Sequence, residues 1–327
     1  MTRLSLVADI GGTNTRVALA EGLQIQKSTI RRFHNTNQAG LAEVLRIYLT
    51  DEENPLLSGA CVAVAGPVHD NTAKLTNLDW VIDAATLKEA SGASHVAVLN
   101  DLQAQGHALG QIPHAQITSL IEGPSPPAGS ARLVIGIGTG FNAAPVHENM
   151  QGRIVLPSEC GHITLPVRDD AGLRLSRFIT RAHGYPEIEE VLSGRGLETL
   201  HAFVSEEAGT SRRLSSAEIA TSLADDTRND PFVTQTGRHF ARVLGMVCGD
   251  LALTHLPFGG IYLCGGVTRS IAPHLIRLGL SEAFRDKGRF SPLMRKFAIS
   301  VIEDDYAALT GCAAYLSRIN GNARPSA

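Results

Sequence analysis

The sequence predicts an α/β fold in two domains, each built on a mostly parallel sheet covered on both faces. Three observations carry that prediction. Short apolar runs alternate with stretches of helical periodicity, the order that buries a parallel sheet between helices. The chain has 327 residues, more than one typical domain. A strand-turn-strand pattern at the start also returns later: Leu133-Val-Ile-Gly136-Ile-Gly138-Thr139-Gly140-Phe-Asn142 lies over Leu6-Val-Ala-Asp9-Ile-Gly11-Gly12-Thr13-Asn14 without a gap. Leu, Val, Ile and the first turn glycine match, while the acid of the first copy is Gly136 in the second. Such a repeat suggests a duplicated core.

The first domain opens with strands at Leu4–Ile10, Arg16–Ala20 and Ile25–Phe33. Gln38–Leu49 follows as a helix with Leu41, Val44, Leu45 and Tyr48 on one face. Ala60–Gly66 is a buried strand, and Asp83–Ala90 a short helix with Asp83 as its cap. His95–Asn100 is another buried strand; it runs straight into Asp101 and a helix over Leu102–Leu109. The boundary falls near residue 111, ahead of the Gly- and Pro-rich loop Glu122–Gly129. Beyond the repeated hairpin, Leu156–Thr164 reads as a loop between short strands, and residues 172–204 and 215–256 are helical in pattern. Ser215-Ser-Ala-Glu218 forms a capping box. Gly259–Thr268 is a strand ending at Gly265-Gly266 with a helix beyond, and Ala298–Ile302 is the last strand. The closing helix, Tyr306–Ile319, is rich in small residues and is expected to pack on the first domain, giving domains of 1–111 plus 303–327 and 112–302. The tail Asn320–Ala327 is expected to be disordered.

Composition excludes several functions. Lys+Arg number 29 against 32 Asp+Glu, so no broad basic face for nucleic acid is expected. No run of 18 apolar residues occurs, so no membrane span is expected. The start Met1–Ala8 lacks the length and cleavage pattern of a signal peptide. Cys61, Cys160, Cys248, Cys264 and Cys312 are scattered without a C-x-x-C pair, which argues against a disulfide framework and a cysteine zinc site. Cys61, Cys248 and Cys264 sit in apolar runs as packing residues. The expectation is a reduced, soluble, cytoplasmic protein.

Three glycine turns stand at strand ends: Gly11-Gly12, Gly138-Thr139-Gly140 and Gly265-Gly266. Alone, each is a tight bend. Together, each after an apolar strand, they favour nucleotide binding, because ligands of α/β sheets sit beyond the carboxyl ends of strands and nests of N–H groups hold phosphate. No G-x-x-x-x-G-K-[ST] loop exists, and the helix that a dinucleotide fingerprint needs does not follow Gly138-x-Gly140-x-x-Ala143. Asp9 could hold a hydrated Mg²⁺ against a phosphate, or be incidental to a hairpin. Asp101 could accept the proton of an attacking sugar hydroxyl, or cap the helix that follows it, or do both. Glu159-Cys-Gly161-His162 offers an acceptor and a donor/acceptor suited to a polyhydroxylated ligand, though a surface turn reads the same way. Glu189-Glu190 could add a carboxylate or form a solvated helix face.

Taken as a set, Asp9-Ile-Gly-Gly-Thr13 with Arg16, Ala65-Gly66-Pro67, Leu75-Thr-Asn77, Asn100-Asp101, Gly138-Thr-Gly140, Glu159-Cys-Gly-His162, Val191-Leu-Ser-Gly194 and Asp286-Lys-Gly-Arg-Phe290 resemble the bacterial glucokinases of the hexokinase/actin-like ATPase superfamily. The resemblance runs from about residue 4 to 319, in the family's order. It implies a two-domain ribonuclease-H-like fold with a duplicated βββαβαβα-type core. It also implies ATP-dependent phosphorylation of glucose at its 6-hydroxyl, with Mg²⁺, in a homodimer. By position, Asn100, Asp101, Glu159, His162 and Glu189 would bind the sugar, with Asp101 as base; Glu189 aligns better than Glu190. Asp9 would hold Mg²⁺ through water. Gly11, Gly12, Thr13, Asn14, Gly138, Thr139 and Gly140 would face the phosphates, and Gly265 and Gly266 the adenosine. The family's phosphate turn usually continues Gly-Thr-Gly-Leu-Gly, whereas here it reads Gly-Thr-Gly-Phe-Asn142, an exchange that a positive-φ turn tolerates. A related repressor and kinase family carries a zinc-binding cysteine cluster after its Glu-x-Gly-His, absent here, so the resemblance is to the zinc-free glucokinases.

Two other readings compete: a kinase for another hexose, and a sugar-binding regulator of the same fold. For the regulator, Ser215–Ala224 faintly resembles the start of a helix-turn-helix, but the following Asp225–Asp230 is mostly acidic, not a basic recognition helix.

Overall fold

A computed structural model describes residues 4–75, 78–150, 152–225 and 230–322. In chain order its elements are β1 (Leu4–Ile10), β2 (Asn14–Glu21), β3 (Gln24–Ile25), β4 (Arg31–His34), α1 (Leu41–Asp51), β5 (Leu57–Val64), β6 (Val68–His69), β7 (Thr72–Lys74), β8 (Val81–Asp83), α2 (Ala84–Ser91), β9 (His95–Asn100), α3 (Asp101–Ala108), β10 (Ile117–Ile121), β11 (Arg132–Ile137), β12 (Phe141–Asn149), β13 (Gly152–Val155), α4 (Asp170–His183), α5 (Gly194–Glu207), α6 (Ser216–Ala224), α7 (Pro231–His255), β14 (Ile261–Cys264), α8 (Gly266–Leu275), α9 (Leu280–Arg285), α10 (Ser291–Met294), β15 (Ile299–Ile302) and α11 (Ala307–Asn322). They pack as two units. The first takes the chain up to Gln116, Met150–Pro157 and the chain from Asp304; the second takes Ile117–Asn149 and Ser158–Glu303.

In the first unit, β1 and β2 form an antiparallel hairpin, and β5 and β9 continue the sheet in parallel with β1. The order is β3-β2-β1-β5-β9, with β4 also on β2. The period-2 alternation of a strand explains how both faces are covered. Leu6, Ala8 and Ile10 point into one core with Leu45, Tyr48 and Leu87 of α1 and α2. Val7, Cys61, Ala63 and Ala97 point into the other, with Ala104 of α3 and Ala308, Cys312 and Ala313 of α11. Small residues dominate this second face, and they allow backbones to approach closely. The clearest case is Gly311, where a Cβ would fall on the Ala104 carbonyl oxygen.

Several elements differ from the sequence expectation. The strand expected over Ile25–Phe33 is interrupted by a 3₁₀ turn at Lys27–Thr29. Thr29 makes the interruption: its Oγ1 donates to the Gln26 carbonyl at 2.8 Å and accepts the Leu19 amide at 3.0 Å, while its carbonyl accepts the Tyr48 hydroxyl at 3.0 Å. Residues 112–116 and Met150–Pro157 belong to the first unit. The second segment is held there by Arg153, whose Nη1 reaches the carbonyls of Gly106 and His107 at 3.2 and 2.8 Å and that of Leu109, at the C-terminal end of α3. Helix α11 runs on to Asn322, past the expected end. Thr76 and Asn77, residues 226–229 of the expected Asp225–Asp230 stretch and the last five residues of the expected tail lie outside the described residues.

The second unit repeats the plan. β11 and β12 are an antiparallel hairpin, β14 and β15 follow in parallel, and the order is β10-β15-β14-β11-β12. The duplication read from ten residues therefore extends to four strands of each sheet, β2-β1-β5-β9 and β12-β11-β14-β15, while β10 adds an antiparallel edge beside β15. One detail breaks the gapless match. The first turn closes from the Gly11 amide to the Asn14 carbonyl, the second from the Gly138 amide to the Gly140 carbonyl, both at 2.9 Å. The second turn is one residue shorter, so Asp9 pairs with Arg16 but Gly136 pairs with Asn142.

The long helical stretches are divided by sequence signals that are visible in hindsight. Gly184 and Pro186 end α4, and Ser193 caps α5 by accepting the Gly196 amide at 2.9 Å. Asp230 caps α7 by accepting the Phe232 amide at 2.9 Å, with Pro231 at the first position. The capping box is present as expected, with the Ser215 amide donating to Glu218 Oε2 at 2.8 Å. All five cysteines are free thiols, and all but Cys160 are buried.

Gly311→Ala is expected to destabilise the first unit. An added methyl has no space against the α3 backbone, and overpacking of this kind costs about 1–3 kcal/mol. A thermal or urea unfolding midpoint equal to that of the unmodified chain would contradict the close packing of α11 on α3.

Candidate active site

In the first unit the candidate groups gather at the C-terminal ends of β1 and β9. Asp9 lies opposite Arg16 across the hairpin, with Arg16 Nη1 3.4 Å from Asp9 Oδ2. Its side chain is 22 % exposed. Burial pushes the carboxyl pKa up, and the Arg16 charge pulls it back down. Gly12 and Thr13 are exposed beside it, with Gly11 and Asn14 half-buried at the base of the turn. A single partly desolvated carboxylate next to an exposed turn fits Mg²⁺, which keeps most of its waters and takes few protein ligands.

A residue that sequence reasoning missed holds this turn in place. Asn35 is fully buried. Its Nδ2 donates to the Gly11 carbonyl at 2.8 Å, its amide donates to the Thr13 carbonyl at 2.9 Å, and its Oδ1 accepts Thr15 Oγ1 at 2.8 Å. Nothing in the polar run His34–Asn37 distinguishes Asn35 from its neighbours, so no local signal marked it.

At β9, Asn100 and not Asp101 caps α3. Asn100 Oδ1 accepts the Leu102 amide at 3.0 Å, and Gln103 Oε1 accepts the Asn100 amide at 3.1 Å. Asn100 Nδ2 donates to the Gly66 carbonyl at 3.0 Å, tying the strand end to the loop after β5. The alternative reading of Asp101 as the cap is corrected. Asp101 is the first residue of the helix, half-buried, with Oδ1 accepting the Leu102 amide at 2.9 Å. A negative charge at that position interacts favourably with the helix dipole.

In the second unit, Glu159, His162 and Glu189 come together on the turn that follows β11. Cys160–His162 is a 3₁₀ turn lying against β12, and Gly161 permits it, since a Cβ there would meet the Phe141 carbonyl oxygen. Glu189 Oε2 accepts the Phe141 amide at 2.9 Å and lies over Gly140, where a Cβ would approach it to 2.5 Å. Thr139 is exposed at the tip, and the Gly138 carbonyl is tied to the Gly194 amide at 2.9 Å. His162 Nδ1 pairs with Glu187 Oε2 at 3.1 Å, another contact that the sequence did not reveal. That hydrogen bond raises the His162 pKa, with further help from the charges of Glu187, Glu189 and Glu159. Burial raises the Glu159 pKa, His162 lowers it and Glu189 raises it. The site is thus a cluster of acceptors with one imidazole, able to take several hydroxyl donors.

Glu190 does something different. It is buried in ion pairs with Arg195 at 2.7 Å and His183 at 3.4 Å, so the reading of the acid pair as a solvated face fails for Glu190. Gly265 has φ +101° and a Cβ there would strike Ile137, so the bend out of β14 requires glycine. Gly266 opens α8 with no side-chain cap, leaving its first-turn amides pointing outward. Asn142 departs from expectation: it is not among the positive-φ residues, but sits in β12 paired to Gly136. Among the described residues no group of three or more His, Cys, Asp or Glu forms a metal cluster.

A twice-repeated hairpin-led α/β sheet, with glycine turns at its strand ends and a cluster of acids and an imidazole beside one of them, has the architecture of the actin-like ATPase fold of sugar kinases. Comparison with known proteins supports this. The glucokinase family model matches residues 6–319. A glucokinase from Citrobacter koseri is 32% identical over 325 residues, covering 98% of this chain and 99% of its own. The crystal structure of a glucokinase from an Antarctic psychrotroph superposes with a TM-score of 0.84 at 30% identity, covering 97% of this chain and 99% of its own. The glucokinase of Balamuthia mandrillaris, solved in complex with glucose, shares the fold at a TM-score of 0.81 and 20% identity, covering 97% of this chain and 94% of its own. The chain belongs to the glucokinase family.

The pairing of His162 with Glu187 makes a specific NMR prediction. The His162 imidazole should titrate above its ordinary 6.5, and Glu187→Gln should bring it down toward that value. Because the folded pKa is raised, the pairing stabilises the fold fully below the unfolded pKa, and the contribution is lost as pH rises through the folded one. An unchanged His162 titration in Glu187→Gln would contradict the pairing.

Proposed function

We propose that this chain transfers the γ-phosphoryl group of ATP to the 6-hydroxyl of glucose, giving glucose 6-phosphate and ADP. Membership of the glucokinase family makes ATP-dependent phosphorylation of glucose its activity. The observation that carries the reading is the family match across residues 6–319.

The proposed roles follow from the local chemistry. Asp101 accepts the proton of the 6-hydroxyl as its oxygen bonds to the γ-phosphorus and the bond to the β-phosphate bridging oxygen breaks. Asn100 supports it by fixing the start of α3, and its amide also offers a sugar contact. Glu159 and Glu189 accept hydrogen bonds from sugar hydroxyls, and His162, charged more readily beside Glu187, donates one. The turns at Gly11, Gly12, Thr13 and Asn14, and at Gly138, Thr139 and Gly140, face phosphate oxygens, while Gly265 and Gly266 lie against the adenosine. Asp9 would hold Mg²⁺ through water; that ion, when bound, neutralises phosphate charge. We further propose a cytoplasmic homodimer with no nucleic-acid or membrane partner. Among the described residues no helix is long and apolar enough to cross a membrane.

A coupled assay of ADP release across glucose, mannose, fructose and glucosamine tests the activity. Glucose should be the best acceptor by kcat/KM. A better rate with another hexose would reassign the substrate, and glucose binding without ADP release would favour the sugar-responsive regulator. Asp101→Asn should fold and bind glucose but lose about 10²–10⁴-fold in kcat, the usual contribution of a general base. Turnover near that of the unmodified chain would remove Asp101 from the mechanism. Asp9→Asn should shift the Mg²⁺ dependence of ATP use, and an unaltered dependence would count against its role.

A further inference from the structure

The side chain of Asn142 is the centre of a hydrogen-bond network that no expectation from the sequence placed there. Its Oδ1 accepts the Ala143 amide at 2.8 Å, Ser158 Oγ at 3.0 Å, the Cys160 amide at 3.2 Å and Cys160 Sγ at 3.5 Å. Its Nδ2 donates to the Ser158 carbonyl and to Glu159 Oε2, the latter at 3.1 Å. Donors surround one end of the amide and acceptors the other, which fixes its orientation. Ser158 Oγ also lies 2.7 Å from the Ala143 carbonyl, its one hydrogen serving either acceptor, so the start of β12 and the 158–160 loop are joined beside Asn142.

From this geometry we propose that Asn142 is a positioning residue for glucose: its amide holds one oxygen of the Glu159 carboxylate, turning the other toward the sugar. The inference rests on the proposed role of Glu159 in glucose binding. It assigns Asn142 to the sugar side of the site, although the residue follows the phosphate turn directly in sequence. Two features of the network make this a matter of orientation beyond loop anchoring. The acceptor end fastens the loop through the Cys160 amide and Ser158 Oγ, and the donor end adds the Ser158 carbonyl. The donor end alone reaches Glu159.

Asn142→Asp keeps the acceptor oxygen, removes the donor to Glu159 and to the Ser158 carbonyl and sets a carboxylate against Glu159; the Glu159→Gln background tells the two losses apart. The unmodified chain and variants are compared by coupled ADP release at varied glucose and varied MgATP, from pH 6 to 8.5. Asn142→Asp should raise the KM for glucose by about 10-fold or more at pH 8, since a hydrogen bond to a charged group is lost and repulsion replaces it. The increase should shrink toward pH 6, where a proton shared by the two carboxylates restores a donor, and the KM for ATP should change by less than about 2-fold. Placed in Glu159→Gln, the same substitution should lose its pH-dependent effect, because one of the two charges is gone. Asn142→Ala adds no charge and should also raise the glucose KM selectively, so it decides the matter if Asn142→Asp does not fold. An equal rise in the KM for ATP, a pH-independent rise that persists in Glu159→Gln, or an unchanged glucose KM in Asn142→Ala would overturn the inference. A wild-type chain that releases no ADP with glucose would instead overturn the functional reading beneath it.

Discussion

The side chain of Asn100 grips the start of α3 from two directions, and the arrangement of the first unit's site depends on that grip. Its oxygen takes the Leu102 amide, and its nitrogen reaches the Gly66 carbonyl in the loop beyond β5. A helix beginning directly at a strand end leaves backbone amides that need an acceptor. Had Asp101 served as the cap, the helix would start one residue later; as it is, its Oδ1 shares the Leu102 amide with Asn100. With Asn100 in that place, Asp101 becomes the first helical residue. The neighbouring parallel strands β5 and β9 then share one fixed end, joined through Gly66.

The same device recurs at two other points. Asn35 holds the glycine turn beside Asp9, and Asn142 holds the loop that carries Glu159. In each case the side-chain amide donates to a backbone carbonyl, and its oxygen accepts a backbone amide at Asn100 and Asn142 and the Thr15 hydroxyl at Asn35. Each of these amides adjoins a segment that bears an acid. Carboxylates accept hydrogen bonds but cannot donate, so on their own they cannot bridge two carbonyl-rich loops. Asparagine can, at the same size. The asparagines thereby bridge segments that the neighbouring acids touch only as acceptors, as Asp101 does at the Leu102 amide. The pair Glu189 and Glu190 divides between two settings: Glu190 is buried against Arg195 and His183, while Glu189 lies on the Gly140 turn.

Much of the fold is legible in the sequence because period and punctuation are local. The alternation in β1, the Ser215 capping box and the glycine at 265 each announce themselves within a few residues. The interruption at Thr29 does not, since it depends on Leu19 and Tyr48, which lie ten and nineteen positions away. Segment Met150–Pro157 joins the first unit through Arg153 and the end of α3, again a distant contact. The candidate site divides similarly. Glu159, His162 and Glu189 could be named from the chain because acids and an imidazole beside glycines are conspicuous. Asn35 and Glu187 could not, because an asparagine or glutamate becomes significant only through a partner 24 or 25 residues off. The gapless repeat was right about the strands and misleading beyond the turn, where one missing residue sets Asn142 opposite Gly136.

The central proposal is that the carboxylate of Asp101, set at the first position of α3 by the Asn100 cap, is the group that meets the sugar hydroxyl to be phosphorylated. A crystal structure of the chain with glucose and a non-hydrolysable ATP analogue tests it most directly. The account predicts an Asp101 carboxylate oxygen at hydrogen-bond distance, about 2.6–3.2 Å, from the glucose 6-oxygen. The Asn100 cap should be intact in the same structure. A different carboxylate at the 6-oxygen, or Asp101 found capping α3 in place of Asn100, would contradict it.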